Sequence, residues 1–328
     1  METSNVIVSS RIRLARNLQH LPFTHKFKDI KTAEEVISTA EKAFNHSKEF
    51  KLYRMGDLDE IKRIALVEKH LISKELAETV DSGALLLNKD ERISVMVNEE
   101  DHYRIQSIKR GFALDEAYEE ARRLDTSLGS TAMLAYSDRY GYLTACPSNV
   151  GTGMRASVML FLPALTATNS ISSIIVAVQK MGLTVRGIFG EGSKADGCMY
   201  QLSNQISLGI TEEEILDSVK SAAQTIEKSE LEARQLLLNR QGVALKDKLS
   251  RSYGILKTAY VMSSKELREL VTNVKLAIGL KILDVDENVI DEISTNCQPA
   301  SITLIAGREM NDYERDVMRA KYIREKLK

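Results

Sequence analysis

The chain has 328 residues, 43% hydrophobic and 28% charged, with a formal net charge of -1, four prolines and no tryptophan. Near-neutral charge excludes a whole-molecule field for nucleic acid or anionic membrane, and the length allows two domains around a substantial core. Cys146, Cys198 and Cys297 stand far apart without zinc-type spacing, no apolar run approaches 18 residues, and the start Met1-Glu2-Thr3-Ser4-Asn5 is not a signal peptide. A reduced, cytoplasmic protein without a structural metal or membrane association is expected.

In chain order, Val6-Ile7-Val8 leads into Ser9-Ser10-Arg11-Ile12-Arg13-Leu14. There a period of two sends Ile12 and Leu14 to one face of a strand and Arg11 and Arg13 to the other. Residues 32–49 and 58–79 carry helical periodicity. Residues 84–87 and 93–97 read as strands joined by the polar turn 88–91. A helix is predicted over 114–124, then extended segments over 131–136 and 142–145. Residues 155–168 are predicted to be a helix opened by the loop Gly151-Thr152-Gly153, with Pro163 near an end or at a kink. Residues 173–178, 183–189 and 199–203 read as strands. Strands that follow one another through turns predict an antiparallel sheet with helices packed on it, an α+β domain. From Thr211-Glu212-Glu213-Glu214, a capping-box signature, the pattern becomes helical, and Ser263 and Asn311 open further helices. The expected division is a domain over 1–235 and an all-helical domain over 236–328, with no internal repeat.

Two short stretches carry most of the chemistry. Asn98-Glu99-Glu100-Asp101-His102 follows the strand 93–97, and an extended continuation would put Glu100, His102 and Arg104 on one face. Most acidic runs are solvated turns, but a carboxylate beside a guanidinium can grip opposite ends of a substrate pair. Cys146-Pro147-Ser148-Asn149 precedes the Gly-Thr-Gly loop and Arg155. A tight turn is the ordinary use of such glycines; backbone N–H groups at a helix start would add a phosphate site. An acidic cluster facing a glycine loop with arginines suits a kinase whose acceptor is cationic. The P-loop and the protein-kinase signatures are absent. Residues 190–195 match a dinucleotide fingerprint only nominally, because a strand follows where a helix is needed. A glycine-rich loop carrying Arg186 and Glu191 is the better reading, one that closes over a nucleotide. His70 on its helical pattern, and Arg315 with Arg319 one turn apart, read by themselves as ordinary surface or core residues.

Val8 to Arg13, Asn98 to His102, Cys146 to Asn149 and Arg186 to Glu191 together resemble the ATP:guanido phosphotransferases, the family of creatine and arginine kinases. Four ordered motifs across residues 8–204 make the match specific. Within the family, the few residues before the first strand, and Arg315-Asp316-Val317-Met318-Arg319-Ala320 as an RDxxRA phosphoarginine-binding motif, resemble the bacterial protein-arginine kinase branch.

The resemblance implies a guanido-kinase or glutamine-synthetase-like antiparallel sheet flanked by helices, with a helical dimerisation and phosphoarginine-binding domain. It implies ATP and Mg²⁺ as cofactors. It implies nucleotide contacts from Ser9, Ser10, Arg11, Ile12, Arg13, His70, Arg104, Arg155, Ala156, Ser157, Val158, Met159, Arg186, Gly187, Ile188, Phe189, Gly190 and Glu191. Glu100 would be the base that aligns the guanidinium, Glu191 a second clamp, and Cys146 would lie beside the acceptor, partly thiolate near a cation. Arg315, Asp316, Arg319 and Ala320 would hold phosphoarginine. Implied partners are arginine-bearing proteins (a CtsR-like repressor, misfolded chains), a McsA-like zinc-finger activator, Clp protease machinery and further copies of the chain. The alternatives are a kinase for a small free guanidine, a non-catalytic phosphoarginine-binding module, and a DNA-binding protein, the last against the near-neutral charge.

Overall fold

The computed structural model describes residues 4–44, 49–187 and 196–328. Its centre is an eight-stranded sheet in which every pairing is antiparallel. The strands are β1 (Ile7–Arg16), β2 (Phe50–Arg54), β3 (Ala84–Asn88), β4 (Ile93–Val97), β5 (Tyr103–Arg110), β8 (Met154–Phe161), β9 (Leu183–Gly187) and β10 (Met199–Asn204), in the spatial order β2-β3-β4-β5-β1-β8-β10-β9. The short strands β6 (Tyr136–Ser137) and β7 (Gly141–Tyr142) form a separate hairpin.

The alternation in β1 decides what each face does. Ile12 and Leu14 are fully buried, and with Leu86, Val95, Ile105, Ala156, Val158 and Leu202 they form the main core. That core is closed by α1 (Ile30–Phe44), α4 (Leu114–Thr131) and the first half of α7 (Glu212–Thr258). The other face carries the arginines. At the β3–β4 end it is covered by α2 (Glu60–Glu68) and α3 (Lys74–Glu78), through Met55, Leu71, Ile72, Leu76, Leu85, Leu87 and Met96. At the β8–β10 end, Phe161 and Met199 pack on Leu245 and Leu249 of α7 and on Leu276 of α8 (Ser264–Gly279). Between these two covers the middle of the sheet is left for a site.

Helices α8, α9 (Glu287–Asn296) and α11 (Asp312–Lys326) build a second core around Val274, Ile290, Ile293 and Ile323 with the end of α7, and α10 (Pro299–Ala306) packs against α2. The expected boundary after residue 235 falls inside α7, upstream of Gly242, whose backbone (φ 49, ψ -119) breaks the helical geometry. The capping boxes at Thr211 and Asn311 are formed, and the Ser263 hydroxyl accepts from the Glu266 N–H.

Three expectations are corrected. Residues 155–161 are strand β8: Ala156, Val158 and Leu160 enter the core while Arg155 and Ser157 face the other way, and helix α5 (Pro163–Ala167) begins only with proline at its first position. The expected strand 173–178 is helix α6 (Ile171–Gln179), a short apolar run whose periodicity could not decide between the two. The single helix over 58–79 is two, because α2 closes at His70 (φ 60) and the Ser73 hydroxyl caps α3. The Gly-Thr-Gly loop therefore opens no helix. Its glycines permit close packing: a Cβ on Gly151 would meet Ser207 O at 2.0 Å, and one on Gly153 would meet Arg16 Nη1 at 2.5 Å.

Arg16 is the buried pin of this corner. Its Nε and Nη2 donate to Asp125 at 2.7 and 2.8 Å, Nη1 donates to Ala15 O and Thr152 O, and the guanidinium lies 3.5 Å from the centre of the Tyr142 ring. Removing one partner of a buried ion pair strands the other. Arg16→Ala is expected to destabilise the fold by about 3–5 kcal/mol, read as a lower urea midpoint, with Asp125→Asn costing less because the amide still accepts.

Candidate active site

The registers place the arginines on one face. Arg13 lies directly opposite Arg155, and Arg104 opposite Ala15. Arg186 lies opposite Gln201, which is itself opposite Met159. Arg11 donates to Gln201 Oε1 at 2.8 Å, and Arg155 to Ser203 Oγ at 3.0 Å. The Nε groups of Arg13 and Arg155 are buried without a hydrogen-bond partner among the described residues, an arrangement that calls for an external acceptor. Burial, then the charges of Arg155 and Arg104, pushes Arg11 down to about 10. Arg13 is lowered for the same reasons, chiefly burial and then Arg11, and Arg155 is lowered by burial and then by Arg186. Like charges gathered and partly desolvated are destabilised until an anion arrives. This face fits a polyphosphate.

The other proposed nucleotide contacts separate by parity. Ser157 and Met159 share the arginine face, and Ser157 Oγ donates to Arg11 O. Ser10, Ile12, Ala156 and Val158 point into the opposite core, and the Ser10 hydroxyl is spent on Gly111 O and the Ala113 N–H. That narrows the side-chain set. Ser9 is half-buried at the β1 bulge and Gly187 ends β9. Ile188, Phe189, Gly190 and Glu191 lie outside the described residues. His70 is surface-exposed, yet the protein around it, and secondarily the charge of Arg11, lowers its pKa.

The acidic turn divides its labour. Asn98 takes a left-handed conformation (φ 59) and donates to Ala33 O and Ser82 O. Asp101 accepts from Asn17 and from the Ala145 N–H, both at 2.7 Å. His102 is fully buried: Nδ1 accepts from the Leu18 N–H, so Nε2 donates to Pro22 O, and burial depresses its pKa. It shares no face with Glu100 and Arg104, because the turn bends before β5 begins. Of the turn's carboxylates, Glu99 and Glu100 are left for the cleft. Glu99 is buried (2% side-chain exposure), is ion-paired with Arg104 at 2.9 Å and accepts from Ser73 Oγ at 2.6 Å. Burial raises its pKa against the opposing pull of Arg104 and Ser73. Glu100 lies 3.8 Å from Arg104 with 42% of its side chain exposed.

Both carboxylates line an open cavity of about 610 Å³ with Thr24, Phe27, Asp29 and Ala145. The Asp101–Ala145 bond brings Cys146 alongside; its Sγ lies 3.0 Å from Ser148 Oγ. The sequence reading missed Glu99, Ser73 and the cavity wall at Thr24 to Asp29. Glu99 sat in the motif already noted, but only the turn geometry separates its role from that of Glu100. Among the described residues, no group of three or more His, Cys, Asp or Glu could hold a metal ion.

On α11, Arg315 Nη1 donates to Met310 O at 2.8 Å, and its Nη2 also bonds Asp312. Arg319 and Ala320 are buried, and Arg319 donates to Cys297 O, Met262 O and Asp316. The two arginines, one turn apart in sequence, therefore do not present together to solvent.

Residues 31–233 match the model of the ATP:guanido phosphotransferase C-terminal catalytic domain, and this chain belongs to that family. Residues 242–328 match the protein-arginine kinase McsB C-terminal domain. A protein-arginine kinase of Caldanaerobacter subterraneus subsp. tengcongensis is 46% identical over 98% of this chain and 97% of its own length. One of Halothermothrix orenii is 45% identical over 98% and 93%. Among solved structures, a lombricine kinase has this fold (TM-score 0.60, 24% identity), covering 69% of this chain and 66% of its own. The duplicated taurocyamine kinase from Schistosoma mansoni, with bound transition-state-analogue components, aligns with TM-score 0.61 and 26% identity over 80% of this chain and 38% of its own.

A polyanion that relieves the arginine repulsion should stabilise the fold. At a hundredfold excess over its Kd, ATP or tripolyphosphate is expected to add about 2.7 kcal/mol, seen as a Tm rise of several degrees in differential scanning fluorimetry. Arg13→Gln should remove most of that rise, and raised salt should shrink it.

Proposed function

We propose that this chain is a protein-arginine kinase that transfers the γ-phosphoryl group of ATP to arginine side chains of proteins. The observation that carries the reading is the carboxylate pair Glu99 and Glu100, which lines the open cavity and is ion-paired to Arg104 of the arginine face. The names of the full-length relatives point the same way.

A guanidinium, with a pKa above about 12, is a poor nucleophile until one nitrogen is aligned and relieved of its proton. Glu100, at the cavity rim and partly in water, accepts the N–H fork and takes that proton as the N–P bond forms. Glu191 is assigned as the second clamp and Cys146 as a neighbour of the guanidinium. Arg11, Arg13, Arg104, Arg155 and Arg186 neutralise the charge spread over the transferring phosphoryl group. Mg²⁺, held mainly by phosphates and water, would supply further charge neutralisation. The backbone of β1 and β8 is committed to pairing, so phosphate recognition falls to the side chains. In the helical domain, Arg315 and Asp316 are assigned to phosphoarginine, with buried Arg319 and Ala320 fixing the helix that carries them. The wider setting we assign is cytoplasmic, with a CtsR-like repressor and misfolded proteins as substrates, a McsA-like activator, Clp machinery reading the tag, and a homo-oligomer.

Glu100→Ala is expected to lower phosphoarginine formation by about 10²–10⁴-fold while ATP still raises the Tm. The assay is mass analysis of an acid-labile product on an arginine-rich protein, and wild-type turnover would exclude Glu100 as the base. Because the cavity is open, arginine in a polypeptide should be modified with a far higher kcat/KM than free arginine; parity would make the chain a small-guanidine kinase. For the second site, Arg315→Ala in a Glu100→Ala background should weaken phosphoarginine binding in calorimetric titration, and unchanged affinity would remove Arg315 from it.

A further inference from the structure

Glu68 is the last residue of α2, where a carboxylate faces the negative end of its own helix. It is used elsewhere. Its oxygens accept from the Ala300 and Ser301 N–H groups at 2.8 Å each and from Ser301 Oγ at 2.7 Å. It thus caps the start of α10, whose own N-cap residue, Gln298, makes no side-chain capping bond. The same end of α10 is held from inside the helical domain by Arg319, through Cys297 O at 2.8 Å.

Beyond Glu68 the chain runs straight into the site. The turn after α2 is closed by the His70 N–H on Val67 O and the Leu71 N–H on Leu66 O. His70 O accepts from Gln106 Nε2 at 2.9 Å, and Gln106 lies directly opposite Arg13 in the sheet. Leu71 and Ile72 are buried against Leu85 and Met96. Ser73 then reaches Glu99, the partner of Arg104. One short run therefore holds the helical domain at one end and a site carboxylate at the other, with a histidine near the arginines between them.

We propose that Glu68 is a positioning residue for the nucleotide site: its grip on α10 makes the C-terminal helices part of the scaffold that places His70 and, through Ser73, Glu99. The inference rests on the arginine face being that nucleotide site, and so on the proposed function. Coupling carried by such a packed run typically changes affinity roughly twofold to thirtyfold.

The test is equilibrium titration of the full chain with MgATP, without acceptor, beside steady-state kcat and KM for ATP. Glu68→Ala should weaken MgATP binding by roughly five- to twentyfold and raise the KM for ATP more than it lowers kcat. Glu68→Gln, keeping one acceptor oxygen, should fall between it and wild type. Ser301→Ala, which removes a single bond, should shift affinity less in the same direction, and it decides the matter if Glu68→Ala does not fold. Arg110→Ala removes another bond to the helical domain, Arg110 Nη2 to Asp291 at 2.5 Å, without touching α2; it should leave MgATP affinity within about twofold of wild type. Wild-type affinity in folded Glu68→Ala, or equal weakening in Arg110→Ala, overturns the proposal. A wild-type chain that fails to bind MgATP would instead defeat the nucleotide-site reading itself.

Discussion

Arginines crowded on one face of a sheet are the constraint on which the rest of this structure depends. Burial and mutual repulsion both disfavour their charge, as the lowered pKa values of Arg11, Arg13 and Arg155 record. A loop under that strain would splay. A central strand paired on both sides cannot, because moving Arg13 away from Arg155 would break the β1–β8 ladder and lift Ile12 and Leu14 out of the core. Hydrophobic burial on one face thus holds an electrostatically unfavourable arrangement on the other, which is preorganisation in its plainest form. Burying a Leu or Ile side chain contributes about 1.5–3 kcal/mol, so a few such residues offset considerable repulsion.

The acidic turn obeys a similar division. Asn98, Asp101 and His102 use their polar groups internally, on Ala33 O, Ser82 O, Asn17, the Ala145 and Leu18 N–H groups and Pro22 O. These bonds tie the turn to its neighbours, and its two glutamates emerge beside Arg104. The environments of those glutamates differ. Glu99 is dry and doubly held; Glu100 reaches water. A proton acceptor that must exchange with solvent between turnovers suits the second place; in the first, burial works against the carboxylate's charge while Arg104 and Ser73 favour it.

How much of this was legible depends on what each signal measures. The parity of Ser9 to Leu14 gave both the core face and the arginine face, because strand alternation is local. The capping boxes at Thr211 and Asn311 were equally local and were formed. Residues 155–161 misled because Arg, Ala, Met and Leu favour helices; the register with β1 and β10 overrode that propensity. Residues 173–178 failed in reverse, since Ile and Val favour strands and a short run has no resolvable period. His102 and Arg319 were beyond reach for another reason. Whether a polar side chain serves a ligand or the protein's own backbone depends on distant segments, here Pro22 O and the Leu18 N–H for one and Cys297 O and Met262 O for the other.

The same consideration bears on how the two helical covers act on the site. The cover at the β8–β10 end is a broad apolar contact, Phe161 and Met199 against Leu245, Leu249 and Leu276, and packed cores of this kind resist small displacement. The cover at the β3–β4 end meets the helical domain where α2 packs along α10, and a carboxylate on N–H groups, Glu68 on Ala300 and Ser301, is part of that contact. Hydrogen bonds to a charged group are worth about 1.5–3 kcal/mol each, comparable to the roughly 1–3 kcal/mol over which coupling between sites typically operates. The sheet supplies the fixed geometry of the arginine face, and the run from the end of α2 to the start of α3 links the helical domain, at Glu68, to Glu99, at Ser73.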